Sequence, residues 1–440
     1  MYVTIGYDDQ FTYKKVDDYT IVTSGMDMTF SKIENIDLLY NNGTTLLLVD
    51  TIDDKNIFKR KKGYAKKLIL RKSYDLFDYN TYQELDLDIT KNKHIVDLAS
   101  INCNIDFLNW WINNNIMLEY SVISINQACF NGDIEILNWW LTSGLTLKYD
   151  NEAIDNGNIE ILNWWIESGL ELKYSNKSID NASYNGDIEI LNWWVDSGLK
   201  LKYSNKSIDS ASRYGYIEIL NWWIESGLEI KYSKISIDYL PFSHCILDML
   251  EWWKNSGLVP IYTSKCIDEC CNHGIINALE WWKNSGLELK YSHYSMDNAY
   301  NVKVLEWWKN SGLELKYTQA SLDCIPGIKI LEWWKNSGLE LRYSSVAIDD
   351  ACSTGEIETL EWWFNSGLPL KYTNKSIDRA FEYEYIDILN AWLKSGLEIK
   401  HSKHAIIDNI YIKISIDWWK NSGLNQEYIS QIKIQSDENN

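Results

Sequence analysis

The chain has 440 residues, 45% apolar and 24% charged, the balance of a soluble folded protein with ample length for a large core. Its 62 acids against 42 bases leave a net charge of −20. That argues against a general nucleic-acid binder, which must meet phosphates with Lys and Arg, and leaves solubility or a basic partner as its use. The eight Cys show no framework spacing, Asp8 and Asp9 interrupt the start where an apolar signal core would lie, and no apolar run approaches the ~18 residues of a membrane helix. An intracellular protein that is not secreted, has reduced thiols and lacks a membrane segment is expected.

Residues 1–84 contain runs that predict strands, VTIGYDD, YTIVTSG and TTLLLVDTI, with turn signals such as Asn41-Asn42-Gly43. A small β-rich module capping the first repeat is expected, with no readable function. Lys59 to Lys67 (KRKKGYAKK) is a basic cluster; a solvated loop is the ordinary reading, a nuclear-localisation or anion-binding segment the functional one.

From 85 to 428 the chain repeats itself. Of 23 Trp, all but one stand in Trp-Trp pairs, and the first of each pair is Trp110, Trp139, Trp164, Trp193, Trp222, Trp252, Trp281, Trp307, Trp333, Trp362 and Trp418, with Ala391-Trp392 filling the gap. Successive steps cluster at 29 residues, giving twelve copies. In the unit from Ser175 to Tyr203, Ser175 suits a helix N-cap, and the same slot always holds Ser, Thr, Asn or Asp, from Asn92 to Ser402. Ile179 and its equivalents, through Ile406, are apolar, and small residues such as Ala182 come after them, so a first helix of about two turns is predicted. After Gly186, IEILNWWVDS has the spacing of an amphipathic second helix. Gly198 closes it in the left-handed conformation, as Asn115 does in the first copy. Leu199, Leu201 and Tyr203 alternate with Lys in an extended connector. Helices this short persist only when stacked, which makes an all-α repeat solenoid.

The segment GDIEILNWWVDSGL (Gly186 to Leu199) resembles the ankyrin-repeat pattern G-H-L-E-V-V-K-L-L-L-E-x-G-A, with Ala182 and Ser183 where the ankyrin Ala-Ala stands. The T-P-L-H opening is replaced by S-x-x-S-I-D, the period is shorter, and Trp-Trp stands for Leu-Leu. The chain is thus similar to a divergent ankyrin array with shortened hairpins, of the kind found in large DNA viruses of amoebae. That resemblance implies a non-enzymatic protein–protein interaction scaffold or adaptor, monomeric, with no cofactor.

The copies starting at Asp150, Ser292 and Thr318 are shortened at the end of the first helix, the last with Pro326 there, and are expected to pack poorly, bending or fraying the stack. Cys266, Cys270, Cys271 and His273 have metal-like spacing, yet Cys270 and Cys271 fall in small-residue slots of the repeat, so packing is the expected role and no metal is expected. No catalytic constellation appears among the scattered His. Asp155, Asp180, Asp209, Asp238, Asp268, Asp297, Asp323, Asp349 and Asp378, with Asp97 before them, recur five residues past each cap. They suit either bonding to the next copy's cap or an acidic binding column for a basic protein. The Trp rows are expected to be buried; if exposed, they would offer glycans or nucleic acid a stacking surface. Residues 429–440 read as a polar tail.

Overall fold

The computed structural model describes residues 2–16, 19–51, 57–59, 61–324, 327–402 and 413–423; Pro326, Ile406 and the 429–440 tail lie outside the described residues. The chain packs as two compact units, Met1–Ser207 and Ile208–Asn440.

The first unit opens with six antiparallel strands: β1 (Tyr2–Gly6), β2 (Phe11–Val16), β3 (Tyr19–Lys32), β4 (Thr45–Thr51), β5 (Ile57–Lys59) and β6 (Lys62–Asp75), in the spatial order β2-β3-β1-β4-β6-β5. β3 also pairs with β6, so β1, β4, β6 and β3 close on themselves. A register shift between Thr23 and Met28 lets the 14-residue β3 bend enough to serve both sides. Val22, Met28, Phe30, Leu47, Val49, Ala65 and Leu68 fill the interior. Gly63 has to be glycine, because a Cβ there would come within 2.4 Å of the Phe30 ring. The basic cluster expected as a loop instead spans the β5–β6 hairpin, with Arg60 outside the described residues. The module meets the first repeat through Phe77 on Phe107 (ring centroids 5.3 Å apart), Tyr79 on Trp110 (4.9 Å) and the Asn92 amide donating to the Tyr82 hydroxyl (3.0 Å).

Helix pairs make up the remainder. In a regular copy the first helix has seven to nine residues, as in Ile95–Ile101, Lys177–Asn185 and Lys265–Asn272, and the second nine or ten, as in Ile188–Asp196 and Ile246–Asn255. In the three shortened copies the first helix is a single turn: Glu152–Asp155, Tyr294–Asp297 and Ala320–Asp323. A fourth, Ile235–Asp238, gives way to a 3₁₀ turn at Leu240–Phe242, where Pro241 prevents continuation. The second helix ends with a left-handed residue, Gly198 at φ 67° and Asn115 at φ 53° in the first copy.

Successive copies are fastened by the Asp column. Asp155 accepts from the backbone N–H of Ser175 (2.8 Å), from its hydroxyl (2.5 Å) and from the hydroxyl of Ser178 (2.6 Å), all in the next copy. Ser175 Oγ in turn accepts from Lys177 N–H (3.1 Å), capping its own helix. The same cap contacts join Asp180 to Ser204, Asp209 to Ser233, Asp238 to Thr263, Asp268 to Ser292, Asp297 to Thr318, Asp323 to Ser344 and Asp349 to Thr373. Each carboxylate is thus an anion seated at the N-terminus of the following helix, where backbone N–H groups and the helix dipole favour it. The partner lies 24 or 25 residues on in regular copies and only 20 or 21 on in the shortened ones, yet the bonds are equally short. The carboxylate fastening survives loss of a helical turn because Asp lies before the deletion, while packing at these copies is poorer, as expected, around the buried indoles that follow them.

One pair reverses the roles. Asn126 stands in the Asp slot and Asp150 in the cap slot; the Asn126 amide donates to Asp150 (2.9 Å), and Asp150 N–H reaches Asn126 Oδ1 (3.4 Å). Asp150 also accepts from Glu152 N–H (2.9 Å) and so still caps its helix. One acid and one donor per junction is the requirement, whichever side supplies the acid. Asn126→Asp alone would set two carboxylates together and should cost about 1–3 kcal/mol, whereas adding Asp150→Ser should recover most of it. Urea unfolding of the single and double variants measures this; additive losses would contradict the pairing.

Candidate interaction surface

The surface a partner can reach is the part that the junctions leave over. Asp155, Asp180, Asp209, Asp238, Asp268, Asp297, Asp323 and Asp349 are 2–9% exposed, and Asp378, half-buried, accepts from Ser402 N–H (2.8 Å). The acidic column expected as a candidate binding face thus lies between copies, its oxygens occupied by caps. It offers an outside partner almost nothing.

The two tryptophans of a pair part company. The second, such as Trp140, Trp194, Trp253 or Trp363, is completely enclosed, with the connector Tyr of the preceding copy against it: Tyr174 on Trp194 at 4.8 Å, Tyr343 on Trp363 at 4.9 Å. The first is mostly half-buried, and its indole N–H reaches back one copy to the residue that precedes that copy's pair. Trp139 donates to Asn109 (2.8 Å), Trp193 to Asn163 (2.7 Å), Trp281 to Glu251 (2.8 Å) and Trp307 to Glu280 (2.6 Å). The change from NWW to EWW along the chain therefore preserves an acceptor. These rings are tied rungs, and an exposed Trp row able to stack glycans or bases does not form.

Buried second-Trp indoles also need acceptors. Trp140 and Trp253 donate to Ser100 (3.1 Å) and Ser212 (2.7 Å), and Trp308 and Trp392 to the sulfurs of Cys271 and Cys352 (3.3 Å each). All four acceptors lie eight residues past a cap. Trp165 approaches Cys129 in that slot without a full hydrogen bond. Trp194, Trp282, Trp334 and Trp363 have no partner, and each comes after an irregular copy. The slot is Pro241 before Trp282 and Tyr300 before Trp334; it falls at Pro326, outside the described residues, before Trp363, and disappears with the missing turn before Trp194. There a cavity of about 140 Å³ opens beside Phe130, Asn156, Asn181, Asn185 and Trp194. Irregular copies keep the carboxylate junction and lose the indole one, at roughly 1–3 kcal/mol for each stranded N–H.

The cysteine-rich segment obeys the same logic. Cys266, Cys270 and Cys271 are fully buried, while His273 stands at the surface with Nε2 3.8 Å from Glu269. Among the described residues no group of three or more Cys, His, Asp or Glu is arranged to hold a metal ion. Burial pushes the Cys129 and Cys352 thiols up to about 12, and hydrogen bonding to Cys266 together with burial raises Cys270.

Connectors form a further ladder. Within each unit, connector Tyr hydroxyls donate to a carbonyl of the next connector, Tyr174 to Lys200 (2.9 Å) and Tyr262 to Glu288 (2.8 Å). A Lys from that connector lies over the Tyr ring, Lys202 4.2 Å from the Tyr174 centroid. In the second unit these cations also pair with Glu two residues earlier, as in Lys290–Glu288 and Lys316–Glu314.

What sequence reading missed is that, in each unit taken by itself, aromatics at the far end of first helices are exposed. In the first unit these are Phe130 (65% exposed) and Tyr184 (48%); in the second, Tyr214 (39%), Phe242 (51%), Tyr300 (58%) and Tyr383 (51%). The signal was available as an aromatic eight to ten residues past the cap, but the identity varies and irregular copies shift the spacing. No helix among the described residues is long and apolar enough to cross a membrane.

No family model matches the chain. An uncharacterized protein, L696, of Acanthamoeba polyphaga mimivirus is 37% identical over 140 residues, 29% of this chain and 43% of that protein, so the match spans less than half of the relative's length. Among solved structures, the maize pentatricopeptide repeat protein PPR10 matches over 81% of this chain and 60% of its own, at 12% identity and a TM-score of 0.27. The same protein in complex with an 18-nt psaJ RNA element matches over 80% and 49%, at 9% identity and a TM-score of 0.33. The exclusion of nucleic acid drawn from net charge is corrected, since net charge is a whole-chain sum that does not describe a local patch; the bound RNA belongs to the PPR10 structure. The alignment scores support no closer comparison.

Two measurements check the junction chemistry. Trp253→Phe should destabilise more than Trp282→Phe by about 1 kcal/mol, because only Trp253 loses a hydrogen bond; equal losses in urea would refute the assignment. Thiol labelling of the native chain at pH 8 should reach exposed Cys103 and Cys324 and spare Cys129, Cys271 and Cys352. Since burial raises the folded-state values of Cys129 and Cys352 from 9.0 to about 12, their contribution to stability is complete below pH 9 and should be lost as pH rises through 9–12.

Proposed function

We propose that the chain is a non-enzymatic interaction scaffold whose repeats, read as divergent ankyrin-type units, present these exposed aromatics to an extended macromolecule. One observation carries this reading. Side chains facing between copies are consumed by junctions, while a large aromatic at one end of the first helix remains exposed in six of the copies. Similarity to a mimivirus protein over 140 residues supports a viral origin and action inside an amoebal host.

The test is capture of host macromolecules, protein and nucleic acid alike, by the full chain and by a variant carrying Phe130→Ser, Tyr184→Ser, Phe242→Ser, Tyr300→Ser and Tyr383→Ser. Far-ultraviolet circular dichroism should be unchanged, because these side chains lie outside the core. Capture by the parent and its loss in the variant is the expected result. Identical capture by both chains would remove these aromatics from consideration.

A further inference from the structure

The exposed aromatics change character in one place. Around the fifth to seventh copies the rings are interleaved with cations: Arg213 Cζ lies 5.7 Å from the Tyr214 ring centroid and 5.2 Å from that of Tyr239, and Lys265 Nζ lies 4.0 Å from Tyr239. Tyr214 and Tyr216 stack at 6.2 Å, Tyr239 meets Phe242 at 6.0 Å, and Phe242 meets His273 at 5.1 Å. The 3₁₀ turn at Leu240–Phe242 replaces the end of a first helix here and leaves Phe242 half exposed.

Geometry sets this cluster apart: two cations, Arg213 and Lys265, meet on the single ring of Tyr239. Elsewhere in the second unit a ring carries one cation, which is paired with a Glu of its own connector at Lys290, Lys316 and Arg342 and is without an ion pair among the described residues at Lys254, Lys371 and Lys400. Among the described residues neither Arg213 nor Lys265 forms an ion pair. The neighbouring Asp238 and Asp268 are turned inward onto the caps of the next copies, and Glu269 is drawn toward His273. In a chain of net charge −20 this brings two cations without an ion pair together beside exposed rings.

We propose that this cluster, Arg213, Tyr214, Tyr216, Tyr239, Phe242 and Lys265, binds single-stranded nucleic acid, with bases stacking on the exposed Tyr214, Tyr216 and Phe242 rings and Arg213 and Lys265 meeting backbone phosphates. Stacking on aromatic faces tolerates any base, and a single strand can splay its bases where a duplex cannot. Two cations suit a strand crossing the site and are too few for a duplex backbone. An acidic peptide would use the cations and gain little from the rings. This inference rests on the scaffold reading and names the ligand class for some of these aromatics.

The experiment is fluorescence anisotropy of the full chain with a fluorescein-labelled 15-nucleotide oligouridylate, the same oligonucleotide annealed to its complement, and an oligoglutamate peptide as competitor. The single strand should bind, and the duplex and peptide should be at least about ten-fold weaker. Affinity should fall with salt at a log–log slope of about −1.4, the value for two phosphate contacts on a single strand. Phe242→Ala should weaken binding by roughly ten-fold, within the range for a lost base stack. Arg213→Gln with Lys265→Gln should flatten the salt slope, and a control with Lys290→Gln and Lys316→Gln should change neither. Retained tryptophan emission shows that each variant folds. No binding at 50 mM salt, or oligoglutamate competing as well as the oligonucleotide, or an unchanged affinity for Phe242→Ala, would each overturn the proposal. Any of these outcomes with protein capture still lost in the five-site variant would leave the scaffold reading standing; failure of that capture test as well would remove both.

Discussion

A carboxylate on one helix caps the helix of the next copy, and the rest of the repeat array depends on that bond. Helices of four to nine residues are marginal alone, because nucleation fixes several residues for each hydrogen bond gained. Asp155 and its equivalents supply what each following helix lacks at its start, an acceptor for a backbone N–H and for the capping hydroxyl. The hydroxyl then accepts from the N–H two residues on, so the chain of hydrogen bonds runs from one copy into the helix of the next. Burying a carboxylate is costly when its lone pairs are empty; here the donors belong to a helix N-terminus, where negative charge is favoured. Asn126 and Asp150 show that the constraint is one acid and one donor per junction.

This placement explains why irregular copies are tolerated. The deletions fall after the Asp and before the second helix, so the carboxylate junction is untouched. The loss is of the small polar or thiol side chain that would meet a buried indole, and the stranded N–H groups of Trp194, Trp282 and Trp334 record it. Redundant junctions make such losses local: indole to Asn or Glu, Tyr hydroxyl to carbonyl, and Lys over Tyr each span the same boundary. In a quasi-one-dimensional array stability is a sum of neighbour terms, so one weak interface does not dissolve the next.

The same economy shapes the surface. The recurring Asp column and the tryptophans are both spent on holding copies together. An overall charge of −20 is a sum over the chain and does not describe a particular face. The exposed aromatics at the ends of the first helices, and the two cations over Tyr239 in the second unit, remain at the surface.

Local physics was legible in the sequence. A 29-residue step, a capping residue, an apolar stripe and a left-handed glycine each depend on side chains a few positions apart, so the helix pairs, their ends and the strand-rich start could all be read from order alone. Partners across a junction were not, because the Asp-to-cap bond spans 20 to 25 residues and the first-Trp bond 26 to 31, distances over which spacing fixes no direction. Whether the Asp column faced a partner or the next cap, which of two adjacent tryptophans was enclosed, and that Phe242 and Tyr214 remained exposed beside Arg213 were decided only when the copies packed, since burial belongs to the stack and not to the repeat. The sequence by itself determined the unit and its recurrence; the tertiary structure determined which side chains that recurrence consumed and which it left to bind.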